Sequence, residues 1–351
     1  MKANRISLWF GIAPALIVCA VLWTSGVART AANASADSSD EVKAAPNNYK
    51  LHYEDDHIRL VEHVVRPGET EKMHTNPYPA IIAHDAAMPK MTDSGPAPAM
   101  NHGPAPKDEE YPTCDTTAPE GMHALTNNDT FPLHEYIIEY KRLDGDAYRT
   151  NWKKWYPWML DPIPPVKDVV VSSDAKLFSK EWPYNIAYDS YKAAPNNHHM
   201  RYQDEHVRFL EVIFHGGERE NLHGHPYYSV FEHDSGGGMP PSSTDGPLPE
   251  PGIHLHPDGT PMHSSVGDIK LDPNSQLNNQ DNGTGKGPAG MRWPVCNTAK
   301  PQAPHKAFNQ NPWPSHFNRI EFTRVDGDGI KTHWKEWYPW MAKSQVTLQG
   351  N

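Results

Sequence analysis

One block of this chain is written twice. Ala44-Ala45-Pro46-Asn47-Asn48 recurs as Ala193-Ala194-Pro195-Asn196-Asn197, at an offset of 149 residues. The same offset carries Asp56-His57-Ile58-Arg59-Leu60 onto Glu205-His206-Val207-Arg208-Phe209, Gly68 onto Gly217, His74 onto His223 and His84-Asp85 onto His233-Asp234. The register then breaks and resumes at an offset of 182. Cys114 maps to Cys296, His123 to His305, Asn127 to Asn309, and Trp155-Tyr156-Pro157-Trp158-Met159 to Trp337-Tyr338-Pro339-Trp340-Met341. The second copy therefore holds 33 extra residues. Self-similarity of this length means one structural unit built twice, and 351 residues suffice for two domains.

The matched blocks read as strands. From Ile58 to Val65 and from Val207 to Phe214, β-branched and aromatic residues crowd a short run that stops at Pro67-Gly68 or Gly216-Gly217, a turn signal. Tyr136-Ile137-Ile138-Glu139-Tyr140 and Arg319-Ile320-Glu321-Phe322 are similar. The expected class is all-β, with short strands closing into sandwiches or barrels. Copy one is expected over 41–160 and copy two over 191–342, with a Pro-rich linker over 161–190. The unmatched stretches, about Ala86–Glu110 and Ser235–Met291, are rich in Pro, Gly, Ser and Asn and read as long loops.

The first residues are of another kind. Lys2 and Arg5 precede an apolar run from Ile6 to Val27, and small residues follow up to Ala34-Ser35-Ala36. This is the order of a secretory signal, expected over 1–36, with an uncleaved membrane anchor as the alternative. The expected location is therefore periplasmic or secreted. Cys19 leaves with the signal. Cys114 and Cys296 remain, equivalent in the repeat, and in an oxidising compartment they either form one disulfide or stay as a buried thiol in each half. A formal charge of −11 excludes nucleic acid and anionic membrane surfaces as partners, because both repel such a chain.

The 21 histidines need an explanation. In copy two, Gly217 is followed by His223-Gly224-His225, whose two imidazoles fall on one face of a strand because side chains alternate with period two. Such a pair can hold one metal, and neutral imidazole suits Fe, Mn, Ni, Cu and Zn alike. His305 follows far downstream, with Asn309 after it.

The spacing of Gly217, His223, His225, His305 and Asn309 resembles the two motifs of the cupin superfamily, and the resemblance covers both copies, making the chain similar to an exported two-domain bicupin. It implies two tandem double-stranded β-helix (jelly-roll) barrels. It also implies a metal held by His223, His225 and His305 in the C-terminal barrel. The family's glutamate should follow the second histidine after three or four intervening residues, where this chain has Ser229 and Val230; Glu232 comes two or three residues late. A three-histidine set is similar to that of gentisate and thiol dioxygenases, which implies ferrous iron, a small organic substrate and dioxygenase-like oxidoreductase chemistry. A lost ligand is equally what a non-catalytic binding or interaction protein would carry.

Copy one matches at His74 and His123 but has Asn76 between them, so a degenerate, structural half is expected there. His254, His256 and His263 lie in the insertion and read as solvated loop residues, or as a metal-buffering cluster. Trp152, Trp155 and Trp158, with their copies Trp334, Trp337 and Trp340, suit a carbohydrate platform or one side of a short helix docked on a barrel, and their repetition in both halves favours packing. Glu62 and Glu211, equivalent and within strands, read as acids paired with Arg59 and Arg208, or else as buried acids near the barrel interior.

Overall fold

A computed structural model describes residues 39–95, 111–164, 167–171, 175–235, 294–307, 309 and 311–342. The segment expected as a secretory signal, and His254, His256 and His263, lie outside these residues. No helix among the described residues is long and apolar enough to cross a membrane.

Copy one begins with the short helix α1 (Glu41–Ala44) and runs through β1 (Tyr49–Glu54), β2 (Ile58–Val65), β3 (His74–Asn76), β4 (Ala80–His84), β5 (Met91–Asp93), β6 (Thr113–Thr117), β7 (Glu120–His123), β8 (Leu125–Asn127) and β9 (Leu133–Tyr140), then α2 (Tyr148–Trp155). Copy two repeats the plan with α3 (Ser190–Ala193), β10 (His198–Gln203), β11 (Val207–Phe214), β12 (His223–His225), β13 (Tyr228–His233), β14 (Val295–Ala299), β15 (Gln302–His305), β16 (Ser315–Phe322) and α4 (Ile330–Trp337).

The pairing is nested. β2 pairs with β9, β3 with β7 and β4 with β6; β11 pairs with β16, β12 with β15 and β13 with β14, all antiparallel. A long hairpin has thus been wound up, and β4–β9 and β13–β16 pairing closes each coil. This is the double-stranded β-helix, or jelly-roll, topology, and the fold is all-β with two tandem cupin-type barrels. Gly68 and Gly217 sit at φ +73° and +77° in the turns after β2 and β11, where an L side chain would be strained.

β2, β9, β11 and β16 are buried along all eight residues, on both faces. The two faces serve different purposes. Val61, Ala80, Ile82 and Ile137 fill the first barrel, and Leu210, Val212, Phe231 and Phe317 fill the second. The opposite faces meet each other: Leu60, Ile81 and Ile138 of copy one form one core with Phe209, Val230 and Ile320 of copy two. Cys114 on β6 and Cys296 on β14 are joined by a disulfide across this contact, with Cα atoms 6.4 Å apart.

The Trp-rich ends are short helices, and each docks on the other copy. α4 brings Ile330, Trp334 and Tyr338 against Val64 and Phe131, while Tyr148, Tyr156 and Met159 pack on Ile213. Trp158 and Trp340 stay part-exposed. The segment expected as a linker is more than that: Trp182 is buried and its Nε1 donates to Gln302 O at 2.7 Å, and Asp168 accepts from Leu222 N at 2.9 Å. It forms part of the wall of the second barrel. Within the first stretch expected as loop, Met91–Asp93 is a strand paired with β8.

Glu62 and Glu211 do not pair with Arg59 and Arg208. They stand on the faces where the barrels meet, Glu62 with His52 (2.8 Å) and His134 (3.0 Å), Glu211 with Arg201 and His316 (2.8 Å). The arginines point the other way, Arg59 to Asp40, Glu41 and Glu139, and Arg208 to Asp189 and Glu321. Period two separates residues three apart onto opposite faces.

Candidate metal centre

β12 and β15 form a two-stranded ladder in which His223 lies opposite His305 and His225 opposite Gln302. The ring centroids of His223 and His305 are 4.6 Å apart, and those of His225 and His305 are 5.6 Å apart. The ladder thus brings together the three histidines the sequence singled out.

Their tautomers are set by what lies behind them. His223 Nδ1 donates to Asn221 O at 2.9 Å and His305 Nδ1 to Ala303 O at 2.8 Å. His225 Nδ1 donates to the Glu321 carboxylate at 2.9 Å. Carbonyls and carboxylates only accept, so each Nδ1 carries the hydrogen, and neutral His223 and His225 keep their lone pairs on Nε2. Buried Glu321 behind His225 is the kind of partner that orients a ligating imidazole and raises its basicity. Burial, reinforced by nearby positive charge, holds His223 and His225 well below the ordinary imidazole range, so both are neutral at pH 7.

A fourth histidine joins them. His198 on β10 has a ring centroid 4.5 Å from His223 and 5.1 Å from His225, and one ring nitrogen of each of the three lies within 4.8 Å of the others. Its Nδ1 is buried without a hydrogen-bond partner, and burial lowers its pKa well below the usual range. An orphaned donor atom beside neutral imidazoles is what a transition-metal site provides when its donors are soft-to-borderline nitrogen. Comparison of the repeats carried the signal: copy one has Tyr49 where copy two has His198.

Glu232 does not replace the family's glutamate. It lies on the same face of β13 as Val230, toward copy one, whereas Phe231 faces the barrel interior. Its carboxyl is fully buried, and that burial pushes it up to about 8. Asn309, part of the motif spacing, is structural, since its Nδ2 donates to Phe214 O and Trp313 O at 2.9 and 3.0 Å. Asn127 does the same for Val65 O and Phe131 O.

In copy one, His74 and His123 face each other at 4.4 Å, with both Nδ1 atoms donating to carbonyls at 2.8 Å. Their companions differ. Asn76 stands opposite Glu120, and Tyr49 fills the place of His198. His63 lies between Glu71 (2.6 Å) and Glu135 (2.7 Å); burial would lower it, but the two carboxylates hold it at about 10. The space in copy two has Val212 and Phe317 instead. Copy one thus fills its interior with an ion-pair network beside a cavity of about 30 Å³.

No family model matches this chain, and no curated protein does. Among solved structures it is similar to a cupin domain from Bordetella pertussis at 14% identity and TM-score 0.22, covering 27% of this chain and 92% of that one. It is similar to AerE from Microcystis aeruginosa at 7% identity and TM-score 0.19, covering 79% and 98%. It is also similar to a formate complex of Lactobacillus farciminis oxalate decarboxylase at 10% identity and TM-score 0.17, covering 80% and 85%. Overlaps this slight bear on neither activity nor metal, and the class of the protein, two tandem double-stranded β-helix barrels, stands on its nested strand pairing.

Proposed function

We propose that the protein is an exported bicupin that binds one transition metal in its C-terminal barrel and acts on a small organic molecule as a dioxygenase-like oxidoreductase. The observation that carries this reading is the pair of Nδ1 anchors behind His223 and His225, which leaves two Nε2 lone pairs on one strand face for a metal, with His305 across the ladder from His223. His198 adds a further nitrogen beside His223 and His225. An all-nitrogen set takes Fe(II), and Mn, Ni, Cu or Zn by the same chemistry. A metal there would supply a Lewis acid and, as ferrous iron, a redox centre for dioxygen.

The chain's own part is to hold the imidazoles neutral and fixed and to exclude bulk water through Trp182 and the buried strand faces. Export fits the Cys114–Cys296 bond, since disulfides persist outside the cytosol.

Elemental analysis of the purified full chain tests the reading. About one metal per chain is expected, falling to near zero in His223→Ala and His305→Ala and unchanged in His123→Ala. Substoichiometric metal that ignores these substitutions would refute it and favour a non-catalytic binding protein. Several weak sites surviving them would favour metal buffering by the histidine-rich insertion.

A further inference from the structure

The barrel interior of copy two holds a cation whose donors are not all used. Arg319, on β16 two residues before Glu321, has no solvent exposure. Its Nη1 donates to Gln302 Oε1 at 2.8 Å, and its guanidinium lies 4.1 Å from the Phe231 ring centre. Its Nε and Nη2 are buried with no hydrogen-bond acceptor. Nε comes within 3.2 Å of Glu321 Oε1, but without hydrogen-bonding geometry. That carboxylate is already shared, Oε1 with His225 Nδ1 and Oε2 with Arg208, and Arg208 is further matched by Asp189. Gln302, which holds Nη1, is the residue opposite His225 in the ladder.

Nε and Nη2 form one edge of the guanidinium, the fork that accepts a carboxylate through two parallel hydrogen bonds. A buried guanidinium with this edge unfilled is costly, and the cost is recovered when an anion occupies it. Copy one has Ile137 at this position and Glu120 in place of Gln302. There is therefore no cation there to anchor an anion, and the difference between the copies again falls on the histidine-bearing barrel.

We infer that Arg319 is an anchor for the carboxylate of a small organic acid bound in the C-terminal barrel, with Gln302 holding the guanidinium in place. The inference rests on the metal reading only for the organic acid being placed beside a metal; the Arg319 edge itself does not depend on it.

Calorimetric titration with acetate and with oxalate, on metal-loaded and metal-free full-length protein, tests it. Wild type is expected to bind both probes, Arg319→Gln to bind at least tenfold more weakly with unchanged metal content, and Arg319→Lys to fall between. Gln302→Glu keeps the arginine but supplies an internal carboxylate, and is expected to weaken binding to a similar extent. It also serves if Arg319→Gln fails to fold. Equal affinities in wild type and these variants, or no binding by folded wild type, would overturn the anchor. If the protein takes up no metal, the metal reading fails, while acetate binding to metal-free wild type and its loss in Arg319→Gln still decides the role of Arg319.

Discussion

Where the barrels meet, two copies of one buried network cross between them, and breaking one gives a pH-dependent signal. His57 Nε2 contacts Asp234 of the other copy at 2.7 Å, Tyr156 Oη donates to Asp144 at 2.7 Å, and Arg142 Nε donates to Asp144 at 2.6 Å. The pseudo-equivalent set joins His206 to Asp85 at 3.0 Å, with Tyr338, Asp326 and Arg324 in the same roles. Burial alone would lower His57, but Asp234, with Asp144 behind it, outweighs burial and raises the ring from 6.5 to about 8. At 1.36 kcal/mol per pH unit that gap is worth ~2 kcal/mol. Because the folded value is raised, this stability is fully present below about pH 6.5 and is lost as pH rises through about 8. Asp234→Asn removes the partner and leaves His57 buried, at a cost of roughly 3–5 kcal/mol at pH 6. At pH 9, where His57 is neutral in both proteins, the cost should be smaller by ~2 kcal/mol. Urea unfolding of wild type and variant at pH 6 and pH 9 measures both numbers. A destabilisation independent of pH would refute the claim that His57 is held as an imidazolium.

Cys114→Ser should lower stability by about 2–5 kcal/mol by freeing the inter-barrel bond, and wild type under reducing agent should fall to the level of the variant in the same unfolding assay. Trp182→Ala, which empties a fully buried site against Gly224 and Gln302, should cost roughly 3–5 kcal/mol and loosen metal binding, read by melting temperature and by metal retained after dialysis. His198→Ala should retain the fold and weaken metal affinity without abolishing it, whereas Tyr49→His in copy one should create no comparable site, because Asn76 still stands where His225 would; metal titration distinguishes the two.

Much of this protein was readable from residues alone. The repeat dictated two equivalent units, short β-branched runs between Gly-bearing turns dictated strands, and period two placed His223 and His225 on one face. These are local facts, set by side-chain alternation and backbone geometry within a few residues. The pairing of His305 with His223 followed from the repeat, which put His305 where His123 stands.

The rest depended on which strand faces touch, and no local pattern carries that. Only the packing showed that Glu232 points between the barrels rather than at the histidines, and that His198 belongs with them. Packing likewise gave Arg59 and Arg208 other partners than Glu62 and Glu211, and docked each Trp-rich helix on the opposite copy. It also joined Cys114 to Cys296 and His57 to Asp234. Each of these contacts links segments that approach only when two strand faces are buried together. Sequence determines which face a residue occupies; the tertiary structure decides what that face meets.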